Sequence, residues 1–163
     1  MASKSAKADL GKWAEGEARK VLAGLSNDNL RFAWHRYPDS RSARNLIQTQ
    51  PADFLVLDNR RALYQGHAAF MLSYHLEVKE TAQKYRLPKD KISQWADLRK
   101  FWFAGVRPAA LIFRSVYQDW VIMDETQLIT PYDICPASFP FAGSEEPTFQ
   151  TAAAALNHLF NKS

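Results

Sequence analysis

The strongest constraint on this chain is a hydrophobic period that changes along its length. Leu10, Trp13, Ala14, Ala18, Val21, Leu22 and Leu25 recur at three- and four-residue steps, which predicts a helix from Asp9 to Leu25, ended by Gly24 and the Ser26-Asn27-Asp28-Asn29 cluster. Short apolar, β-prone runs follow: Arg31 to Tyr37, Asp53 to Leu57, one within Phe70 to Lys79, Ala109 to Phe113, and Trp120 to Met123. Asp58-Asn59-Arg60-Arg61 is turn chemistry, with Ala62 to Gly66 expected as a return strand. Between Pro88 and Gly105, Ile92, Trp95, Leu98 and Trp102 form a second helical stripe, and Thr151 to Phe160 predicts a short Ala-rich helix. Trp13, Trp95 and Trp102 fall on these stripes and are expected in the core. The order of elements predicts an α/β fold, a central mixed sheet flanked by helices.

At 163 residues the chain is expected to form one domain. A basic flexible tail would occupy 1–8 and the main domain 9–128. A Pro-rich extension with a short helix, 129–163, would pack on that same domain. A hydrophobic fraction of 47% with 23% charged residues excludes a disordered chain. No apolar run approaches the ~20 residues of a membrane span, and no apolar segment follows the first lysines, so a cytoplasmic protein is expected. The single cysteine, Cys135, rules out an internal disulfide and a thiolate zinc cluster. His35, His67, His75 and His158 lack metal-ligand spacing and are expected to be structural or surface residues. Neither GxGxxG nor GxxxxGK[ST] occurs, so no nucleotide cofactor is expected.

The net charge is 21 − 17 = +4. Lys4, Lys7, Lys12, Arg19, Lys20, Arg31, Arg36, Arg41 and Arg44 all lie in the first 44 residues. This suits a nucleic-acid partner, and it equally suits a solvated basic face. Trp34 and Tyr37 beside Arg36 suit stacking on unpaired bases or packing in the core. The polar stretch from Arg41 to Gln50 reads as a loop or mobile arm.

The chemistry centres on Glu77-Val78-Lys79. Residues two apart on a strand share a face, so Glu77 and Lys79 point one way and Val78 points into the core. If the strand opened by Asp53 pairs with this one, a second carboxylate joins them. Two carboxylates with a carbonyl between them are hard oxygen ligands suited to Mg²⁺, and a neighbouring lysine can stabilise charge developing on a phosphate. An E-x-K triplet by itself is more often a surface ion pair.

In this setting the sequence resembles the PD-(D/E)XK nuclease superfamily, and more narrowly the RecU- and Hjc-like Holliday junction resolvases. Three matches carry the resemblance: the run Glu77-Val78-Lys79-Glu80-Thr81, then Tyr85-Arg86-Leu87-Pro88 before a helix with Gln94, and upstream Gly11-Lys12-Trp13-Ala14-Glu15 with Glu17 two residues on. They fall in family order over about 11–124. The resemblance implies a restriction-endonuclease-like core in which Asp53, Glu77, the Val78 carbonyl and Gln94 surround Mg²⁺, with Mn²⁺ as its substitute. It also implies Lys79 as transition-state stabiliser and Glu15 as the acid from the first helix. Lys12, Arg36, Ser40, Arg41 and Arg44 would contact DNA, the arm from Arg41 to Gln50 reaching into the junction.

The chain departs from the family pattern at Pro51, where RecU proteins carry a Thr. It also departs in the long stretch from Asp53 to Glu77, which must hold an insertion around Gln65 to Tyr74. Asp58 therefore rivals Asp53, and Glu17 rivals Glu15. The activity implied is Mg²⁺-dependent resolution of four-way DNA junctions by a homodimer making two symmetric cuts. The alternatives are a restriction-type, repair or end-processing nuclease, and a non-catalytic DNA-binding protein of the same fold.

Overall fold

The structure is a computed structural model, and it describes residues 4–38, 50–63, 72–141 and 147–162. Its elements are α1 (Lys4–Asp28), β1 (Phe32–Arg36), β2 (Phe54–Asp58), a 3₁₀ turn (Arg60–Leu63), β3 (Leu72–Thr81), β4 (Arg86–Pro88), a second 3₁₀ turn (Lys89–Ile92), α2 (Trp95–Phe103), β5 (Arg107–Arg114), β6 (Asp119–Met123), α3 (Glu125–Leu128), β7 (Ser138–Pro140) and α4 (Ala152–Asn161). The main sheet has strand order β1-β2-β3-β5-β6. β3 and β5 run parallel and the other neighbours antiparallel, which makes the sheet mixed. β4 and β7 form a separate antiparallel ribbon.

Each face of the sheet has its own core. Tyr74, Leu76 and Val78 of β3 and Leu111 and Phe113 of β5 meet Ala14, Ala18 and Leu22 of α1 and Leu156 and Phe160 of α4. Ala110, Ile112, Val121 and Met123 meet Trp95 and Leu98 of α2, Leu128 of α3 and the ribbon residues Leu87 and Phe139. The α/β architecture, a mixed sheet flanked by helices, is the one that the hydrophobic periods predict.

Several boundaries differ from expectation. The first helix begins at Lys4, so 4–8 is helical rather than a loose tail; Lys and Ala are good helix formers and nothing there breaks the turn. Its far end reaches Asp28, where the Asn29 side chain donates to the Leu25 carbonyl at 3.1 Å. Ala62 and Leu63 lie in a 3₁₀ turn instead of a return strand, because the Asp58 carboxylate draws in the Arg60 amide (3.1 Å) and guanidinium (2.9 Å). The helix expected to start at Pro88 is divided. Pro88 is extended (φ −60°, ψ 147°) and closes β4, and α2 begins only at Trp95 with Gln94 as its N-cap. Gly105 ends α2 at φ 107°, its amide on the Trp102 carbonyl and that of Val106 on the Phe101 carbonyl, which is a Schellman closure. Trp13 is 46% exposed rather than in the core, resting edge-on against Phe113.

Candidate active site

The backbone ladder between β2 and β3 ends at the pair Phe54–Leu76. One residue upstream, the Asp53 side chain continues the pairing: its Oδ2 accepts the Val78 amide at 2.7 Å. The Asp53 carbonyl accepts from Tyr37 at 2.9 Å, which ties the end of β1 to the same corner.

Glu77 and Lys79 share one face of β3, while Val78 points into the α1/α4 core, as alternation requires. The Lys79 ammonium lies 2.6 Å from Glu77 Oε2 and 3.5 Å from Asp53 Oδ2. That ammonium is the partner of the buried Glu77 Oε2. Gln94, which lines the same cleft, has its Oε1 buried without a hydrogen-bond partner. Buried polar atoms are nearly always bonded, so such an oxygen beside two carboxylates marks a place built to receive something.

That cleft, about 240 Å³, is lined by Asp53, Glu77 and Lys79 from the sheet, Gln94 and Ser93 from the approach to α2, and Glu15, Arg36 and Tyr37 from α1 and the end of β1. Glu15 reaches it by an ion pair across elements, its Oε1 2.6 Å from Arg36 Nε. Burial, and then the charge of Asp53, push the Glu77 carboxyl up to about 8 against the opposing pull of Lys79. Burial works against the Lys79 ammonium, but Glu77 and Asp53 outweigh it and the net shift is upward. His75, two residues before Glu77, meets the Tyr37 hydroxyl at 3.0 Å, and burial pushes its ring down to about 4, which leaves it neutral.

The structure thus brings together Glu15, Arg36, Asp53, Glu77, Lys79 and Gln94, and leaves other candidates elsewhere. Glu17 pairs with Lys20 at 2.8 Å and does not line the cleft. Asp58 sits at the opposite end of β2, held by both arms of the Arg60 guanidinium. Lys12 is exposed on α1, away from the cleft lining. Ser40, Arg41 and Arg44, with the rest of the arm as far as Thr49, fall outside the described residues, as does most of the expected insertion around Gln65 to Tyr74. Ser93 lines the cleft but lies beside Gln94 with no motif of its own, and nothing in the sequence singles it out.

Among the described residues no group of three or more His, Cys, Asp or Glu side chains is gathered to hold a metal ion. The donors present are instead two carboxylates and a side-chain amide oxygen, the last of them buried without a hydrogen-bond partner. This set fits a hard divalent cation such as Mg²⁺, which needs one or two carboxylates and keeps several waters.

No protein-family model and no curated protein matches the chain. Among solved structures, the chain is similar to the Hjc Holliday junction resolvase of Archaeoglobus fulgidus, with a TM-score of 0.48 and 16% identity, covering 86% of this chain and 97% of that one. No described helix is long and apolar enough to cross a membrane.

Proposed function

We propose that this chain is a Mg²⁺-dependent, structure-specific DNA endonuclease of the PD-(D/E)XK type, with a restriction-endonuclease-like core, that resolves Holliday junctions. The observation that carries this reading is the meeting of Asp53, Glu77, Gln94 and Lys79 in one cleft, with the buried Gln94 Oε1 lacking a hydrogen-bond partner. Asp53, Glu77 and Gln94 would hold the cation. The Val78 carbonyl would join them, since a strand residue directs N–H and C=O to the same edge and the Val78 N–H already faces Asp53. The cation supplies Lewis acidity toward a phosphate oxygen and a bound water of lowered pKa.

The chain's own residues do the rest. Lys79, fixed between two carboxylates, presents an ammonium that stabilises the negative charge gathering on the phosphate as water adds. Glu15 and Arg36 stand as a pair at the mouth of the cleft, where the guanidinium can take a neighbouring phosphate. A four-way junction has two-fold symmetry, so paired cuts call for a C₂ homodimer with one cleft per protomer. Lys12, Ser40, Arg41 and Arg44 would add contacts to the junction arms.

The deciding experiment is cleavage of a four-way junction beside a matched linear duplex, with Lys79→Ala in parallel. The reading expects Mg²⁺-dependent, paired symmetric cuts in the junction. It also expects a Lys79→Ala protein that binds but does not cut. Cleavage retained by Lys79→Ala removes the proposed site. Equal cutting of the duplex replaces the junction substrate with a restriction-type or end-processing one, and binding without any cutting by the wild type leaves a non-catalytic DNA-binding protein.

A further inference from the structure

The face of β3 that carries Glu77 and Lys79 does not end at the cleft. Thr81 continues it, and in the β3–β5 register Thr81 stands opposite Arg114, so Arg114 lies on the same sheet face about 7 Å beyond Lys79. Arg114 is buried and fully occupied: its fork grips Asp119 at 2.7 and 2.6 Å, and its third nitrogen donates to the Lys84 carbonyl at 2.7 Å. It thereby joins the turn after β3 to the turn between β5 and β6. That second turn is further fixed by Ser115, whose hydroxyl meets Glu80 and whose amide meets the Thr81 carbonyl.

On this rigid base sit groups that the fold does not need. Tyr85 is 63% exposed and Tyr117 is 42% exposed. The Lys84 ammonium lies 5.0 Å from the Tyr85 ring centre and 5.7 Å from that of Tyr117, and the Arg114 guanidinium lies 4.8 Å from that of Tyr117. Arg86 adds a second exposed cation, and among the described residues neither Lys84 nor Arg86 forms an ion pair with a carboxylate. Two exposed aromatic rings sharing the Lys84 ammonium, which with Arg86 has no carboxylate partner, match the needs of a nucleic-acid strand: flat bases stack on the rings and phosphates meet these two cations.

We propose that Lys84, Tyr85, Arg86 and Tyr117, mounted on the Arg114–Asp119 pair, form a second DNA-contact platform that holds unpaired nucleotides of the strand leaving the cleft. This deepens the nuclease reading and rests on it. At roughly 3.4 Å of rise per nucleotide, a strand crossing from Lys79 reaches the platform within a few nucleotides. A fully paired duplex has no free base faces to offer it, so the platform favours branched or single-stranded DNA.

The test measures binding in EDTA of a four-way junction, a single-stranded oligothymidylate and a blunt duplex. The proteins are the wild type, a Tyr85→Ala/Tyr117→Ala variant and a Tyr85→Phe/Tyr117→Phe variant. The alanine variant is expected to lose about tenfold or more in affinity for the junction and the single strand with little change on duplex, and the phenylalanine variant to bind like the wild type, because its rings still stack. Equal losses on all three DNAs, or a phenylalanine variant as weak as the alanine one, overturn the platform. Unchanged binding by the alanine variant, with the wild type cutting junctions, overturns the platform alone. A wild type that binds none of these DNAs overturns the platform and the nuclease reading together.

Discussion

Asp53 holds β2 to β3 through a side chain where the backbone ladder has stopped, its Oδ2 taking the Val78 amide at 2.7 Å while the Lys79 ammonium stands 3.5 Å away. One carboxylate therefore has a structural bond and a position in the cleft, and the two can be separated by substitution. Asp53→Asn keeps an oxygen acceptor for Val78 and is expected to fold with nearly native stability while losing cleavage. Asp53→Ala loses the acceptor as well and is expected to cost a further 1–2 kcal/mol or so, at the low end for a charged hydrogen bond because the group is partly solvated. Urea unfolding of the two variants beside a cleavage assay checks both statements.

Glu77 is the costly residue of the site, a carboxyl buried beside the Asp53 carboxylate with one ammonium between them. The fold holds that carboxyl well above its ordinary range, which costs stability at neutral pH; Glu77→Gln removes the cost, so without metal the variant is expected to melt at the same temperature as the wild type or higher. Mg²⁺ at ten times its dissociation constant should stabilise the wild type by about 1.4 kcal/mol, or roughly 3–6 °C for a domain of this size. Glu77→Gln and Gln94→Leu should each lose most of that rise. A metal-induced shift of full size in both variants would place the cation elsewhere.

The Arg114–Asp119 pair is expected to behave differently, because it is buried away from the cleft and both partners are satisfied. Asp119→Ala strands a buried guanidinium and should cost about 3–5 kcal/mol, lowering the melting temperature by about 10 °C. Thermal unfolding at low and high salt checks this, and the loss should depend little on ionic strength, since a buried pair is poorly screened.

Asp124 gives the pH dependence. Burial works against its charge, but the Thr126 hydroxyl and amide and the Lys162 ammonium outweigh burial and hold the carboxyl below its ordinary 3.8. With the folded value below the unfolded one, its contribution is fully present above about pH 4 and disappears as acid protonates the folded carboxyl. Melting temperature measured downward from pH 5 should fall less steeply for Asp124→Asn than for the wild type.

Much of this molecule can be read from its residues, and the exceptions have physical causes. The stripes of α1, α2 and α4, the apolar runs of β2, β5 and β6, and Gly105 as a helix stop are local patterns, and local patterns suffice for them. The short helix α3 also has a local signal, in Asp124 and Gln127, whose side chains cap each other's backbone across three residues. β4 has only a weak one, Leu87 standing before Pro88, and Arg86-Leu87-Pro88 becomes a strand by pairing with Ser138–Pro140, some fifty residues later. Glu77 and Lys79 sharing a face follows from alternation alone. The preference for Asp53 over Asp58 depends on Arg60 engaging Asp58, a contact two residues apart within the turn, whereas the arrival of Glu15 depends on its contact with Arg36, a tertiary fact without a local signature.

The Phe160 ring lies 5.5 Å from Phe32 and 5.6 Å from Tyr74, and its carbonyl takes the Arg61 guanidinium at 2.9 Å. The last helix thus locks down the first strand, the middle strand and the layer that delivers Glu15. A polypeptide still being synthesised has every cleft residue by Gln94 yet lacks this clasp until residue 160 leaves the ribosome. A chain cut short before Phe160 would therefore carry the parts of the cleft without the packing that holds α1, β1 and β3 in line.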